Sequence, residues 1–297
     1  MPLPRIGITQ GDPSGIGPEI SEKAAADPRV RAACEPVLYG PDDHARFEPG
    51  RLSADAGRAA FDAINRALRD AQTGAIAGIA TAPLNKEALA LAGFKWRGHT
   101  DMLAELTGAP RVAMMFYAER LRVVLATIHI PLAEVPRLLT AERVRDVIEL
   151  TARELPRFGF SKPRLALAGL NPHAGEHGIL GSEERTVLEP VVASSRASGV
   201  DVTGPLPADT VFVRALGGEF DAVIACYHDQ GLIPVKLVAF GQAVNVTLGL
   251  PVIRTSVDHG TAFDIAGRGV ANPESMIQAV LLAAKLATNK ASNHRGH

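Results

Sequence analysis

Short apolar runs that stop at glycine, proline or histidine recur along this chain, and apolar residues at helical spacing fill the stretches between them. Residues 5–9, 36–40, 78–83, 164–168 and 221–226 are runs of the first kind and read as buried strands. Ser53 opens a stretch to about residue 71 that places Ala60, Phe61, Ile64 and Leu68 on one face. Thr140 precedes Val144, Val147, Ile148, Thr151 and Leu155 at the same period. Both spacings predict amphipathic helices with a hydroxyl N-cap. Strands alternating with helices predict an α/β protein with a largely parallel sheet. Residues 112–117 and 121–127 flank a short polar turn, Ala118-Glu119-Arg120, which predicts an antiparallel hairpin and makes the sheet mixed.

The remaining elements follow the same signals. Pro18 suits the first turn of a helix, another helix starts near Lys86, and Thr100 is the expected N-cap of a helix through Leu106. Residues 182–197 read as a helix and residues 205–210 as a loop running into one. Residues 40–51 read as a surface loop, 243–247 and 252–255 as two last strands, and 274–288 as a last helix. The polar tail from Asn289, with His294 and His297, reads as frayed. No repeat, low-complexity segment or composition shift marks a linker, so two domains would be interleaved rather than strung in tandem.

With 297 residues, 46% hydrophobic and 21% charged, the chain is long enough for two packed domains. A formal net charge of -1 gives no electrostatic case for nucleic acid or a membrane surface. No run approaches the length of a membrane span, and Met1-Pro2-Leu3-Pro4-Arg5 lacks a signal peptide's basic start, so a cytoplasmic protein is expected. Cys34 and Cys226 lie in apolar surroundings and read as buried thiols.

The run over residues 221–226 ends at Tyr227-His228-Asp229-Gln230-Gly231, with Lys236 further on. Open α/β sheets bind ligands at the carboxyl ends of their strands, so His228 and Asp229 sit where chemistry is done. His129, in His129-Ile130-Pro131, and His173, in Asn171-Pro172-His173-Ala174-Gly175-Glu176, also come straight after apolar runs. Three imidazoles at strand exits are the skeleton of a divalent metal site. Plain readings stand beside it: His129 as a structural imidazole, His177 as solvent-exposed, Asp229 as a helix cap or as the orienter of a ligating ring. Lys236, Asn245 and Arg254 recur at nine-residue intervals and suit a phosphate or carboxylate, or are charges on a sheet rim. Gln10-Gly11-Asp12-Pro13-Ser14-Gly15-Ile16-Gly17-Pro18 is either an anion-binding loop or a tight turn. Lys86 is either a solvated charge or a ligand contact. Neither nucleotide fingerprint, no His-Glu-x-x-His and no nucleophilic serine elbow is present.

Together, residues 11–19, Gly98-His99-Thr100, residues 171–176, 227–231 and 254–262 resemble the 4-hydroxythreonine-4-phosphate dehydrogenase family, in family order from residue 5 to about 285. Residues 15–19 and 259–273 also resemble the wider isocitrate and isopropylmalate dehydrogenase group, whose second stretch wraps the adenosine half of NAD. The resemblance implies two interleaved α/β/α domains, residues 1–105 plus 255–297 on the cofactor side and 106–254 for metal, substrate and dimerisation. It places the active site in the interdomain cleft, shared across an obligate homodimer. It implies His129, His173 and His228 as ligands of one divalent metal per site, zinc or alternatively magnesium or cobalt. It implies His99, Thr100, Lys236, Asn245 and Arg254 as substrate contacts. NAD or NADP would meet Gly15, Gly17, His259, Gly260, Thr261, Ala262, Asp264 and Asn272. The implied reaction oxidises the 3-hydroxyl of 4-phosphohydroxy-L-threonine to a β-keto acid that loses carbon dioxide, a step of pyridoxine phosphate synthesis. Lys236 and Asp229 are the candidates for the catalytic proton transfer.

Two features depart from the family pattern: the stretch between Tyr39 and Ser53 is short, and Asp101 stands where glutamate is expected after Gly98-His99-Thr100. Members of the same family that take D-threonate or D-erythronate 4-phosphate, or aromatic cis-dihydrodiols, are the alternatives; retained Lys236, Asn245 and Arg254 favour a phosphorylated acid. A metal-dependent hydrolase or lyase is the alternative from another class, and residues 259–273 argue against it.

Overall fold

Parallel strand pairing joined by helices organises the chain, as the alternation of patterns requires. The computed structural model describes residues 2–293, with side-chain surroundings through residue 290. In chain order the elements are β1 (Arg5–Thr9), α1 (Gly17–Ala26), α2 (Pro28–Ala33), β2 (Glu35–Tyr39), α3 (Ala54–Thr73), β3 (Gly78–Thr81), α4 (Lys86–Leu91) and α5 (His99–Thr107). There follow β4 (Ala113–Ala118), β5 (Leu121–Leu125), α6 (Val135–Leu138), α7 (Ala141–Glu154), β6 (Leu165–Ala168), α8 (Glu189–Ala197), β7 (Val202–Leu206), α9 (Ala208–Leu216), β8 (Ala222–Ala225) and α10 (His228–Ala239). The chain ends with β9 (Val244–Leu248), β10 (Arg254–Ser256) and α11 (Glu274–Asn293).

Two compact units result, Met1–Ala109 with Gly241–His297, and Pro110–Phe240, so the second is inserted into the first. In the first unit the strands run in the order β2-β1-β3-β10-β9, parallel except for β10 against β9. Register aligns Thr9 with Thr81 and Thr81 with Ser256, so three hydroxyl side chains end adjacent strands. In the second unit the order is β4-β5-β8-β6-β7, with β4 and β5 the expected antiparallel hairpin and the rest parallel.

The N-caps Ser53 and Thr140 accept from the amides of Ala56 and Arg143, each three residues on. Ala60, Ile64 and Leu68 are buried under α3, while Phe61 is only half-buried and stacks on Phe94 at 4.3 Å between ring centres. Both cysteines are buried and free.

Several local expectations are corrected. Thr100 lies inside the first turn of α5, whose N-cap is Gly98; the Asp101 carboxylate takes the Arg97 amide at 2.6 Å and holds the entry instead. Residues 205 and 206 belong to strand β7, which Gly204 and Pro205 disguise as loop and which lies at the edge of its unit, where proline is tolerated. Helix α2 starts at an Asp27-Pro28 pair, with Asp27 accepting from Arg29 N at 2.8 Å. The last helix runs on through Asn289 to Asn293; His294 and His297 lie outside the described residues.

The His228 segment is the first turn of α10. Its Gly231 and Pro234 weaken the helical signal. Gly231 is there for contact: a Cβ would stand 2.6 Å from Leu125 Cδ2 and 2.8 Å from Val123 Cγ1, so only glycine lets α10 lie directly on β5. Gly231→Ala should therefore lower stability by about 1–3 kcal/mol through overpacking. Urea unfolding monitored by circular dichroism tests this; an unchanged midpoint would mean the helix can lift without cost.

Candidate active site

In the first unit the site is built on the face where β9 and β10 pair. Residues two apart share a strand face, so Arg254 and Ser256 point the same way. Asn245 lies opposite Ser256 in register, and Thr247 follows two residues on. Arg254 is 2% exposed. Its Nε and Nη2 donate to Thr81 Oγ1 at 3.2 and 2.8 Å, and Nη1 donates to Thr247 Oγ1 at 2.9 Å. Thr81 Oγ1 in turn donates to Ser256 Oγ at 3.0 Å. No carboxylate pairs with Arg254 among the described residues, and burial pushes its guanidinium down to about 9. A buried cation held only by neutral hydroxyls is costly unless an anion joins it.

His99 opens α5. Its Nε2 is sealed from solvent and has no hydrogen-bond partner, as is Asn245 Oδ1. Burial, and then the charge of Arg254, hold the His99 imidazole well below its ordinary range, so it is neutral. Thr100, next on α5, is half-buried. Buried polar atoms with no protein partner are the marks of a place where a ligand belongs.

The glycine loop does something other than cradle an anion with its amides. Ser14 N donates to Asp12 Oδ1 at 2.9 Å, Gly15 N to Asp12 O at 3.0 Å, and Ile16 N to Thr261 O at 3.0 Å. A Cβ on Gly17 would meet Gln10 O at 1.9 Å, and one on Gly15 would meet Thr261 O at 2.9 Å. The loop is thus a tight turn docked on the segment that carries His259, Gly260, Thr261, Ala262 and Asp264. That segment is pinned again when Lys23 Nζ donates to Gly269 O at 2.9 Å and Ala271 O at 3.0 Å. His259, Gly260 and Asp264 are exposed, and Asn272 caps α11 by accepting from Glu274 N at 2.9 Å. Asp12 was not singled out from sequence: it is 1% exposed, its Oδ2 has no partner, and burial raises its carboxyl above the usual range. Thr81 and Thr247 were missed too, since a threonine in a strand carries no signal until its partner is known.

In the second unit His129 and His228 come together, their ring centres 5.6 Å apart. His228 Nδ1 lies 2.7 Å from Asp229 Oδ1, so Asp229 orients the ring and leaves Nε2 outward. Lys236 lies with His228, Asp229, Leu232, Ile233, Leu237 and Phe240 along one open face of α10 and its C-terminal end. Ile233, Leu237 and Phe240 are 60%, 81% and 79% exposed, an apolar stripe beside charged groups.

His173 stands apart: among the described residues no group of three histidine, cysteine or carboxylate side chains surrounds one metal position. It is exposed on a turn in which His173, Ala174, Gly175, Glu176 and His177 all have left-handed backbone, φ from 44° to 81°. Such geometry costs a non-glycine residue about 1–2 kcal/mol, so this turn is held by its surroundings. Gln230 ties the two histidine-bearing segments together, accepting from Cys226 N at 2.6 Å and donating to Gly169 O at 2.7 Å. Two imidazoles, one oriented by a carboxylate, are a donor set that fits a borderline divalent cation.

Comparison with known proteins follows the same lines. The family profile described as "Pyridoxal phosphate biosynthetic protein PdxA" matches residues 18–283. A 4-hydroxythreonine-4-phosphate dehydrogenase of Desulforapulum autotrophicum is 44% identical over 98% of this chain and 97% of its own. A D-threonate 4-phosphate dehydrogenase of Cupriavidus necator is 46% identical over 97% of this chain and 99% of its own. The crystal structure of the Klebsiella pneumoniae 4-hydroxythreonine-4-phosphate dehydrogenase superposes with a TM-score of 0.88 at 43% identity, covering 96% of this chain and 98% of that one. The chain is thus an α/β protein of the dehydrogenase type. It belongs to the family of pyridoxal phosphate biosynthetic protein PdxA.

The neutral state of His99 has a measurable consequence. A histidine whose folded-state pKa is depressed binds fewer protons folded than unfolded, so its contribution is intact above the ordinary value of 6.5 and is lost as pH falls below it. The loss approaches about 1.4 kcal/mol per pH unit. Urea midpoints between about pH 7.5 and about pH 5 should fall more for the wild type than for His99→Asn. Parallel losses would mean that His99 is not held neutral.

Proposed function

We propose that this protein is an NAD(P)- and divalent-metal-dependent dehydrogenase that oxidises the 3-hydroxyl of 4-phosphohydroxy-L-threonine. The product, 2-amino-3-oxo-4-phosphooxybutanoate, then loses carbon dioxide to give 3-amino-2-oxopropyl phosphate. The observation that carries the reading is buried Arg254 with no carboxylate partner among the described residues, beside the unpartnered His99 Nε2. That arrangement calls for an anionic, oxygen-rich substrate, and the names of the relatives supply the class.

Arg254 and Lys236 hold the anionic ends of the substrate, and Asn245 Oδ1 accepts a hydrogen bond from it. Neutral His99 hydrogen-bonds through Nε2 without adding a second positive charge beside Arg254, and Thr100 completes the contact. Lys236 and Asp229 are the candidates for proton transfer at the substrate hydroxyl. Asp229 engages Oδ1 with His228 and keeps Oδ2 for that role, and Lys236 takes it only where its Nζ is not the group that holds the anion. His129, His173 and His228 are the proposed metal ligands. A divalent metal held there, zinc or alternatively magnesium or cobalt, would supply stabilisation of negative charge on oxygen, and a nicotinamide cofactor would supply the hydride acceptor. The cofactor contacts proposed are Gly15, Gly17, His259, Gly260, Thr261, Ala262, Asp264 and Asn272. The proposed assembly is a homodimer with a shared active site, and the exposed stripe of Ile233, Leu237 and Phe240 is a surface that such a dimer would cover. Among the described residues no helix is long and apolar enough to cross a membrane, which suits the proposed cytoplasmic setting.

D-Threonate 4-phosphate is the second reading, because a relative of that name matches as closely as those named for the amino acid. NADH formation with zinc or magnesium, comparing 4-phosphohydroxy-L-threonine with D-threonate and D-erythronate 4-phosphates, decides between them. Turnover of the amino acid phosphate is expected; a preference for a sugar-acid phosphate would keep the mechanism and change the substrate, and silence on all three would sink the reading. Two variants test the roles. Arg254→Lys loses the planar fork, and KM should rise about 10–100-fold. His173→Ala should abolish turnover with little loss of folding, and a chelator should do the same to the wild type until zinc is restored.

A further inference from the structure

Glu184 is the most confined carboxylate near the histidine turn, and nothing above uses it. It is 2% exposed and begins a π-helical turn, Glu184–Leu188, of the kind that often marks functional positions. No lysine, arginine or histidine pairs with it among the described residues. Its Oε1 accepts from Leu170 N at 2.8 Å and Asn171 N at 2.7 Å, and its Oε2 accepts from Asn171 Nδ2 at 2.9 Å. These donors belong to the residues that lead into Pro172 and His173. The carboxylate also lies directly beneath the left-handed turn: a Cβ on Gly175 would stand 2.7 Å from Oε2, and one on Gly169 would stand 3.4 Å from Oε1. Asn171 Nδ2 is shared with Glu183 Oε2 at 2.8 Å, which closes the other side of the bend.

We infer that Glu184 is a positioning residue for His173, holding the strained turn in the one conformation that presents the imidazole outward. The inference rests on the proposed role of His173 as a metal ligand. A strained segment persists only where its surroundings over-determine it. Three hydrogen bonds accepted by one buried carboxylate from Leu170 and Asn171, with glycine at the point of closest approach, are such surroundings. Gly175 is needed at that point both for its φ of 81° and for the missing Cβ. Removing the carboxylate would leave two backbone amides and one side-chain amide unpaired in a buried place, which favours release of the turn.

The test uses the full chain freed of metal, with zinc affinity measured by competition against a chromophoric chelator and amide exchange followed over residues 169–178. Glu184→Ala should weaken zinc binding about 10–100-fold, the usual effect of losing a residue that orients a ligand. Glu184→Gln should fall between it and the wild type, because an amide still accepts from Leu170 N and Asn171 N but sets a donor against Asn171 Nδ2. If either variant fails to fold, the other carries the comparison, and circular dichroism reports which. In a His173→Ala background Glu184→Ala should cause no further loss of zinc affinity, because it acts through that histidine. Wild-type zinc affinity in Glu184→Ala, or unchanged exchange of the Leu170 and Asn171 amides, would overturn the inference. Unchanged zinc affinity in His173→Ala alone would instead overturn the metal role of His173, and the exchange measurement would still decide whether Glu184 holds the turn.

Discussion

A guanidinium buried without a countercharge is the constraint around which the first unit is arranged. Burying an unpaired charge is expensive, and the protein offsets only part of that cost with the hydroxyls of Thr81 and Thr247. Those hydroxyls are in reach because β10 lies between β3 and β9. Thr81 reaches Arg254 from the parallel side and Thr247 from the antiparallel side. Arg254 has more N–H donors than these hydroxyls take up, which leaves its charge available to an anion. The neutral state of His99 belongs to the same arrangement, since a second cation beside Arg254 would repel it.

The second unit meets a different demand, the outward display of imidazoles from the ends of buried strands. One device is packing: Gly231 lets α10 lie on β5, so that His228 begins a helix whose axis the sheet sets. Another is hydrogen bonding across strand exits, where Gln230 joins Cys226 to Gly169. The turn bearing His173 is the most strained of these features, with four non-glycine residues in left-handed geometry. Strain of that kind gathers at functional positions. The apolar stripe of α10, Ile233, Leu237 and Phe240, lies exposed beside Lys236 and His228.

Much of this was legible in the chain. Apolar runs and helical periods located most elements, and the hydroxyl caps Ser53 and Thr140 were read correctly. Elements were lost where a residue needed by tertiary contact contradicts the local pattern. Gly231 and Pro234 concealed α10, and Gly204 and Pro205 concealed β7. The candidate side chains were readable because histidines and cations at strand ends are uncommon and carry chemistry. Their supporting residues were not, since Thr81, Thr247, Glu184 and Asp12 look ordinary until burial and partners are known.

The sequence by itself determined the alternation of strand and helix, the family, and the residue types able to bind an anion and a divalent cation. Periodicity and motif order are local properties, and they survive in one dimension. Only the tertiary structure decided that Arg254 has hydroxyls and no carboxylate for partners, that His129 and His228 approach while His173 stands on a left-handed turn, and that the glycine loop spends its amides on its own docking. Those outcomes depend on which distant residues burial and strand register bring within a few ångströms, and no spacing along the chain encodes that directly.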